Sequence, residues 1–584
     1  MNFKVVKQLN AILDKEQKRK IVGLMVMILI GGLLETAGVS LVLPLFSAVV
    51  DEQNFSQNKY VLLAKGILGI ESTTTLIYIM IISLAMMFVI KNSYLIFLTY
   101  IQSRFVNKNR SRCTTNLLSQ FLHRPYEYYL YAETSVVIRT IYGDMDNVFN
   151  LLLQCMNLAA ELVVSVCLGI YLLLVDIKMM IVVVGLLGIV TLIIVKVIKP
   201  KLNYVGDKSR EEQAGLYKWI LQPVTGIKDV KVFNKEEFCT DRYRERATGY
   251  ANYQVSNNVL SGLPRLLIET VAIVGILAYF GVSMAMGVEM SSMMPLMSAF
   301  AVAAMRLLPS VNRVNTYLAN IAYFEPALDY IYNNVDTAAL KHKAEDVKRS
   351  ENSERKLTLN REIKLNDITF AYPNTEKNIF SNASMVIPAG KSVGVVGPSG
   401  SGKTTIIDIL LGLLKVKSGT ITADGNDIFE NYSEWLSHVG YIPQSIYMLD
   451  ASIKENIAFG VEEDKIDEER VWKVLEQAQM KEFVESQPDG LDSMIGERGV
   501  RISGGQRQRL GIARALYHDP ELLVFDEATS ALDTDTETAI MEAIDALHGQ
   551  KTLVIIAHRL RTIENCDLIY EVKDERIGLK DANC

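Results

Sequence analysis

Hydrophobic residues run in long unbroken stretches through the first half of the chain and in short ones after about residue 361. A bilayer-crossing helix needs about 20 mostly apolar residues. Runs of that length occupy 21–50, 76–100, 151–175 and 179–198, and the stretch 259–308 holds two more. Those last two turn near 281–295, where Gly287, Glu289, Ser291 and Ser292 break the apolar run. The pattern predicts six spans, with both ends on the same side of the membrane. The polar connections at about 103–148 and 200–256 are long, and predict helical hairpins that extend beyond the bilayer. A shorter segment, 58–70, carries Val61, Leu62, Ala64, Ile67 and Leu68 at helical spacing beside Lys59 and Lys65. It fits either an amphipathic helix on the outer membrane surface or a packed loop.

Past residue 361, short β-branched runs alternate with amphipathic helices and glycine turns, the pattern of an α/β domain. Between the halves, 334–360 is densely charged, with Val335, Leu340, Val347, Leu357 and Leu359 scattered through it, and reads as a solvated linker. The expected organisation is a membrane domain at 1–333, a linker at 334–360 and a soluble domain at 361–584.

Composition agrees with membrane residence. Hydrophobic residues make up 49% of the 584 positions and the mean hydropathy is +0.18. The formal net charge of −6 gives no argument for nucleic-acid binding, and no nucleic-acid partner is expected. Six cysteines (113, 155, 167, 239, 566 and 584) form no close pair, which fits neither a disulfide framework nor a zinc site. Basic residues set the orientation. The N-terminal tail and the loop after the second span (Arg104, Lys108, Arg110, Arg112, Arg124) are rich in them, so both are expected on the cytoplasmic side.

Gly397, Pro398, Ser399, Gly400, Ser401, Gly402, Lys403, Thr404 and Thr405 follow an apolar strand and open a helical run. This is a phosphate-binding loop in its strand–loop–helix setting, where glycines turn backbone N–H groups toward the phosphates of ATP. Lys403 neutralises the β- and γ-phosphates, and Thr404 places a hydroxyl on Mg²⁺. A second buried strand, 522–526, ends in Asp526 and Glu527. Asp526 suits the Mg²⁺ shell, and Glu527 suits a general base for the attacking water.

Ile502-Ser503-Gly504-Gly505-Gln506 is similar to the signature of the ATP-binding cassette (ABC) proteins, with isoleucine in place of the first leucine. Other segments resemble the family's motifs in order. The resemblance implies that Tyr372 stacks on adenine, that Gln444 contacts Mg²⁺ or water, that Asp533 lies in the D-loop, and that His558 is the switch histidine. It implies ATP sandwiched between two cassettes, hence a homodimer in which Ser503, Gly504, Gly505 and Gln506 meet the partner's nucleotide. The implied fold is an all-α, six-helix, domain-swapped membrane domain of the type I exporter kind plus an α/β cassette. Pro125 to Tyr129 and Gly226 to Asn234 resemble the regions that carry coupling helices, expected at about 130–140 and 215–226.

A narrower resemblance lies in the membrane half. Glu35, Thr36, Ser40 to Pro44, Asn58 to Tyr60 and Arg306 to Arg313 are similar to the PglK-type flippases of lipid-linked oligosaccharides. This implies a multi-pass protein of a bacterial cytoplasmic membrane that flips a pyrophosphate-linked glycan lipid. Export of another lipid, a drug or a peptide is the alternative, with an ATP-gated, non-transporting membrane ATPase behind it. Lys91, Arg265, Arg306 and Arg313 lie in or at the ends of spans. Such cations are costly at membrane depth, so they either line a cavity for an anionic headgroup or pair with Glu35, Glu161 and Glu269. After Cys566 the usual glycine-bearing terminal hairpin is shortened to Lys573 to Leu579, which leaves the last strand pairing open.

Overall fold

The structure, a computed structural model, describes residues 3–40, 61, 66, 72–175, 192, 194–285, 290–336, 340, 357–526, 534–556 and 563–580. The chain forms two compact units: 1–124 with 132–347, and 125–131 with 348–584.

The first unit is helical. It contains α1 (Phe3–Ile12), α2 (Lys15–Ser40) and α3 (Thr73–Leu122). A short helix, α4 (Tyr126–Tyr131), belongs to the second unit. The first unit continues with α5 (Thr134–Ile138), a π-helical turn (Arg139–Asp144), α6 (Met145–Val175), α7 (Lys199–Thr225), α8 (Ile227–Val232), α9 (Glu236–Ala285) and α10 (Met290–Asn334). Both α3 and α9 are 50 residues long. At 1.5 Å per residue each measures roughly 75 Å, against a hydrocarbon core of ~30 Å, so most of each helix runs outside the bilayer.

Among the described residues, Thr74–Leu122, Thr134–Val166 and Glu236–Gly275 are long and apolar enough to cross a membrane. They hold the second, third and fifth expected spans. The first span begins on α2 and the last lies on α10; most of the fourth, and of the amphipathic segment 58–70, lies outside the described residues. Short helices fall at Tyr126–Tyr131, at Thr134–Ile138 within the expected 130–140, and at Ile227–Val232, just past the expected 215–226. Residues 215–225 instead extend the long helix α7 until Gly226 ends it.

A buried charge cluster holds the helices together where the π-turn interrupts the α5–α6 run. Asp144 is fully buried and accepts two bonds from Arg210, at 2.6 and 3.0 Å, and one from Arg139 at 3.3 Å. Both guanidinium groups lie over the ring of Tyr330 on α10, at 5.0 and 4.8 Å. The π-turn adds a residue to the helical register, a device found mostly at single turns, and here it lets Arg139 and Asp144 share one buried side. Nearby, α7 passes so close to α10 that a Cβ at Gly206 would lie 2.1 Å from the Tyr323 carbonyl oxygen. No side chain larger than hydrogen fits there.

The second unit is α/β. One sheet has the order β2-β1-β4-β5, formed by β1 (Glu362–Phe370), β2 (Phe380–Pro388), β4 (Ser418–Ala423) and β5 (Asn426–Asp427). The other has the order β10-β9-β3-β8-β7-β6, from β3 (Ser392–Val396), β6 (Val439–Ile442), β7 (Leu522–Asp526), β8 (Thr552–Ile556), β9 (Leu568–Lys573) and β10 (Arg576–Lys580). It is parallel except for β10. Its helices are α11 (Lys403–Leu410), α12 (Tyr432–Ser437), α13 (Ile453–Ile457), α14 (Glu468–Gln477), α15 (Lys481–Glu485), α16 (Gly504–Tyr517) and α17 (Thr534–Asp545). Leu522, Val524, Val554 and Ile556 enter one apolar core, and Leu523, Phe525, Leu553 and Ile555 enter another. A central strand buried on both faces must be apolar at every position, which is why these two strands lack alternation.

Two expectations are corrected or resolved here. The stretch 334–360 is not uniformly solvated at its described ends. Val335, Leu340, Leu357 and Leu359 are buried, the last two in a core of the second unit, because a scattered aliphatic still gains by leaving water when a core edge is within reach. The terminal hairpin does form, pairing Arg576 with Lys573 through to Lys580 with Ile569. Its two-residue turn, Asp574 and Glu575, takes positive φ at both positions without glycine. Ser381 on β2 holds it, donating its backbone N–H to the Glu575 carbonyl and its hydroxyl to the Glu575 carboxylate.

Candidate functional site: a phosphate loop beside a carboxylate strand

Strands β3 and β7 lie either side of β8, and both Val395 and Asp526 pair with Ile556. Asp526 therefore stands level with the end of β3, roughly 10 Å across two strand spacings, at the carboxyl edge of the sheet where α/β proteins bind ligands. The phosphate loop leaves β3 at this edge and α11 begins at Lys403. Gly402 turns the chain into α11 with φ of 107°, and a Cβ there would lie 2.8 Å from Ile379. Only glycine meets both demands.

Lys403 is 5% exposed, and its ammonium donates to the carbonyls of Gly397 at 3.0 Å and Pro398 at 3.1 Å. The cation is thus drawn back over the loop it serves. Thr404 is exposed at the start of α11, while Thr405 is buried and shares a 2.9 Å hydrogen bond with the Tyr372 hydroxyl. Tyr372 sits edge-on to Phe370 at 5.2 Å, which orients its ring. Gln444 is exposed just beyond β6, and Ile442 pairs with Phe525. The loop carrying Gln444 therefore leaves the same sheet edge.

Asp526 is 4% exposed and its Oδ2 lies 3.5 Å from the Tyr441 hydroxyl. Burial pushes the carboxyl of Asp408, on α11, up to about 6, and the negative Asp526 adds to the shift. The Asp526 carboxylate is a hard oxygen donor of the kind a divalent cation takes. Among the described residues no group of three His, Cys, Asp or Glu side chains converges.

Ser503 caps α16. Its hydroxyl accepts from the Gln506 N–H at 3.2 Å, and the Gln506 side chain accepts from the Ser503 N–H at 2.8 Å. Gly504 and Gly505 follow, leaving a 14-residue helix whose amino end carries no side-chain bulk at its first two positions. Such an end attracts anions. Glu527, Asp533 and His558 lie outside the described residues.

Two supporting residues escaped the sequence reading. Arg514 on α16 donates to the carbonyls of Tyr447 and Asn456, both at 2.7 Å, and so ties the signature helix to the segment that follows Gln444. Its only sequence signal is a basic residue in the last turn of an amphipathic helix. Asp567 braces the foot of β3. It accepts from the Ser392 N–H at 2.9 Å, the Ser392 hydroxyl at 3.1 Å and Lys391 at 3.0 Å, with His548 at 3.1 Å. Burial works to raise its pKa, but these donors outweigh it and hold the carboxyl well below the ordinary carboxylate range. A depressed folded pKa contributes stability that is present above the unfolded value near 3.8 and drains away as pH falls below it. Asp567→Asn is therefore expected to cost about 1.5–3 kcal/mol at pH 7, the worth of charged hydrogen bonds. The gap in melting temperature from the native protein should narrow between pH 5 and pH 3. An equal gap at both pH values would contradict this account.

Of the four cations expected along the spans, Arg313 is bound internally. It grips Glu161 with two bonds, 2.8 Å from Nε and 3.0 Å from a terminal nitrogen, and Ser310 adds a third at 2.6 Å. Glu161 is 9% exposed and Arg313 is 45% exposed, so the pair is half-immersed. Lys91 stands 4.5 Å from the ring of Phe88. Arg265 is exposed on α9, and Arg306 lies on α10.

Comparison with known proteins follows this division of the chain. The family model for the ABC transporter transmembrane region matches residues 21–307, and the model described as ABC transporter matches 380–530. The chain is 45% identical over 219 residues to an ATP-dependent lipid A-core flippase of Photorhabdus laumondii, covering 37% of this chain and 38% of that one. It is 30% identical over 379 residues to an ATP-dependent lipid A-core flippase of Dechloromonas aromatica, covering 65% and 63%. The aligned stretches thus span less than two thirds of these relatives. A solved bacterial Atm1-family ABC exporter with ATP bound superposes with a TM-score of 0.77 at 21% identity, covering 97% of this chain and 96% of that one, which establishes the fold. With a transmembrane region and a cassette matched in order along one polypeptide of that fold, the chain belongs to the ABC transporters.

Proposed function

We propose that this chain is one half of an ATP-driven exporter that moves a lipid-linked substrate, a pyrophosphate-linked oligosaccharide lipid, across the cytoplasmic membrane. The observation that carries the ATPase part is the shared level of β3 and β7. It puts Lys403, Thr404 and Asp526 at one sheet edge, in a chain that also carries helices long enough to cross a bilayer. ATP is the substrate of this edge. Glycine N–H groups and Lys403 hold its phosphates, and Tyr372 receives its adenine. Thr404, Asp526 and Gln444 fit magnesium, which when bound would neutralise phosphate charge. Glu527 takes the proton of the attacking water, and His558 and Asp533 complete the site. The open amino end of α16 offers an anion site to a second copy of the chain, so a homodimer with two composite sites is the economical assembly.

The lipid part rests on the membrane-half resemblance and on cations along the spans. With Arg313 engaged by Glu161, that role falls first to Arg306, Arg265 and Lys91. The relatives named as lipid A-core flippases favour a second reading, a different anionic glycolipid. Reconstitution with fluorescent lipid-linked oligosaccharide in one set of vesicles and a lipid A-core analogue in another separates the two. Exposure of the first at the opposite leaflet only with ATP is expected; ATP hydrolysis with neither lipid moved would exclude both.

The composite site has its own test. A Lys403→Ala subunit mixed with a Ser503→Arg subunit places both lesions in one site of the heterodimer and leaves the other intact. Heterodimer ATPase should exceed that of either variant homodimer. Activity no higher than theirs, in verified heterodimers, would count against nucleotide shared between copies.

A further inference from the structure

Between α2 and α3 lies a cleft of about 900 Å³. Its ends are closed by contacts between the two helices. At the polar end Gln17 donates to Asn109 at 2.8 Å, and at the apolar end the Tyr94 hydroxyl donates to the Met27 carbonyl at 2.7 Å. Past that end a Cβ on Gly31 would touch Leu95, Leu98 and Tyr94 at 3.4 Å, whereas one on Gly23, within the cleft, would meet nothing within 4 Å. The helices part around Gly23 and rejoin on either side.

The lining changes character along its length. Leu24, Met27, Ile101 and Phe105 form the apolar part, where the hydrophobic runs of both helices begin. Lys20, Arg104, Lys108 and Arg112 form the other end. Arg104, Lys108 and Arg112 are spaced by four, hence on one face of α3. Among the described residues carboxylates answer two of these charges: Glu16 pairs with Lys20 at 2.5 Å and Asp14 with Arg112 at 2.7 Å. Arg104 and Lys108 are exposed and, among the described residues, have no acidic partner. Two positive charges are left at the level where apolar helix becomes polar, on the side that the basic residues mark as cytoplasmic.

We propose that this cleft seats an anionic phospholipid of the inner leaflet, with the headgroup phosphate on Arg104 and Lys108 and an acyl chain along Gly23, Leu24 and Met27. The site is separate from the nucleotide edge and from the span cations, and it does not depend on which cargo is moved. A phosphate diester matches an arginine–lysine pair, since arginine supplies a planar fork and lysine a point charge. The apolar floor distinguishes a lipid from a soluble anion.

Native mass spectrometry of the full-length protein, released from detergent with phosphatidylglycerol and phosphatidylcholine at equal concentration, reads the site directly. The native protein is expected to retain phosphatidylglycerol preferentially. Arg104→Gln with Lys108→Gln should weaken that retention roughly tenfold to thirtyfold, at about 1 kcal/mol per cation near a membrane surface. Gly23→Leu fills the cleft without altering charge and favours the helix, so it should lose the lipid too and stays informative if the glutamine pair folds poorly. A control pair on the cassette surface, Lys465→Gln with Lys481→Gln, should change nothing. Unchanged retention in the Gly23 or the Arg104–Lys108 variant overturns the proposal, as does an equal loss in the control. Displacement of the lipid by inorganic phosphate alone would make this a soluble-anion site and overturn the lipid assignment.

Discussion

With Glu527 replaced by glutamine, ATP turnover is expected to fall at least about a hundredfold, the usual worth of a positioned general base. Nucleotide affinity should stay close to native. Glutamine keeps the shape of the side chain and cannot accept the proton of the attacking water. Lys403, the glycine N–H groups and Tyr372, which hold the nucleotide, are untouched. The variant should therefore collect with ATP bound and its cassettes closed, visible as trapped nucleotide after gel filtration. Turnover within a few-fold of native would remove Glu527 from the base role. Loss of nucleotide binding alongside turnover would instead mean that the residue shapes the site.

The second large effect is expected far from the nucleotide. Asp144 is the buried anion between Arg139 and Arg210. Asp144→Ala leaves two guanidinium groups packed over Tyr330 with their shared counter-charge gone. Removing one member of a buried ion set typically costs about 3–5 kcal/mol, because the remaining charges stay desolvated. The purified protein should melt several degrees lower. Replacing the whole set, Asp144→Leu with Arg139→Met and Arg210→Met, should recover most of the loss, since no charge of this cluster is then left buried. A mild effect of Asp144→Ala, or no recovery in the triple variant, would show that the cluster is better hydrated than its burial indicates. If the triple variant is stable but hydrolyses ATP without moving lipid, the cluster serves motion rather than stability.

The membrane-crossing segments, the α/β character of the second half and the chemistry of the nucleotide edge were legible in the residues. Each depends on local facts. An apolar run has its length whatever it packs against, and a glycine-rich loop between strand and helix exposes its N–H groups by its own backbone conformation. Lys403, Thr404, Asp526 and Ser503 could therefore be named before any fold was drawn. Tertiary structure decided what depends on partners distant in sequence. Arg313 meets Glu161 across 152 positions, and Arg210 meets Asp144 across 66. No periodicity encodes such a pairing, so the sequence could pose cargo binding and internal pairing for Arg313 without choosing between them. The same holds for the buried aliphatics of the charged linker, for Asp567 beneath β3, and for a terminal turn without glycine that depends on Ser381, 194 positions away. The cleft around Gly23 belongs here too. The basic stripe of α3 is plain in the sequence, but the gap it faces exists only because α2 touches α3 at Gln17 and again from Met27 to Gly31, and parts from it around Gly23. Local chemistry follows from residue type and neighbours along the chain, whereas burial, pairing and empty space follow from which helices the fold brings side by side.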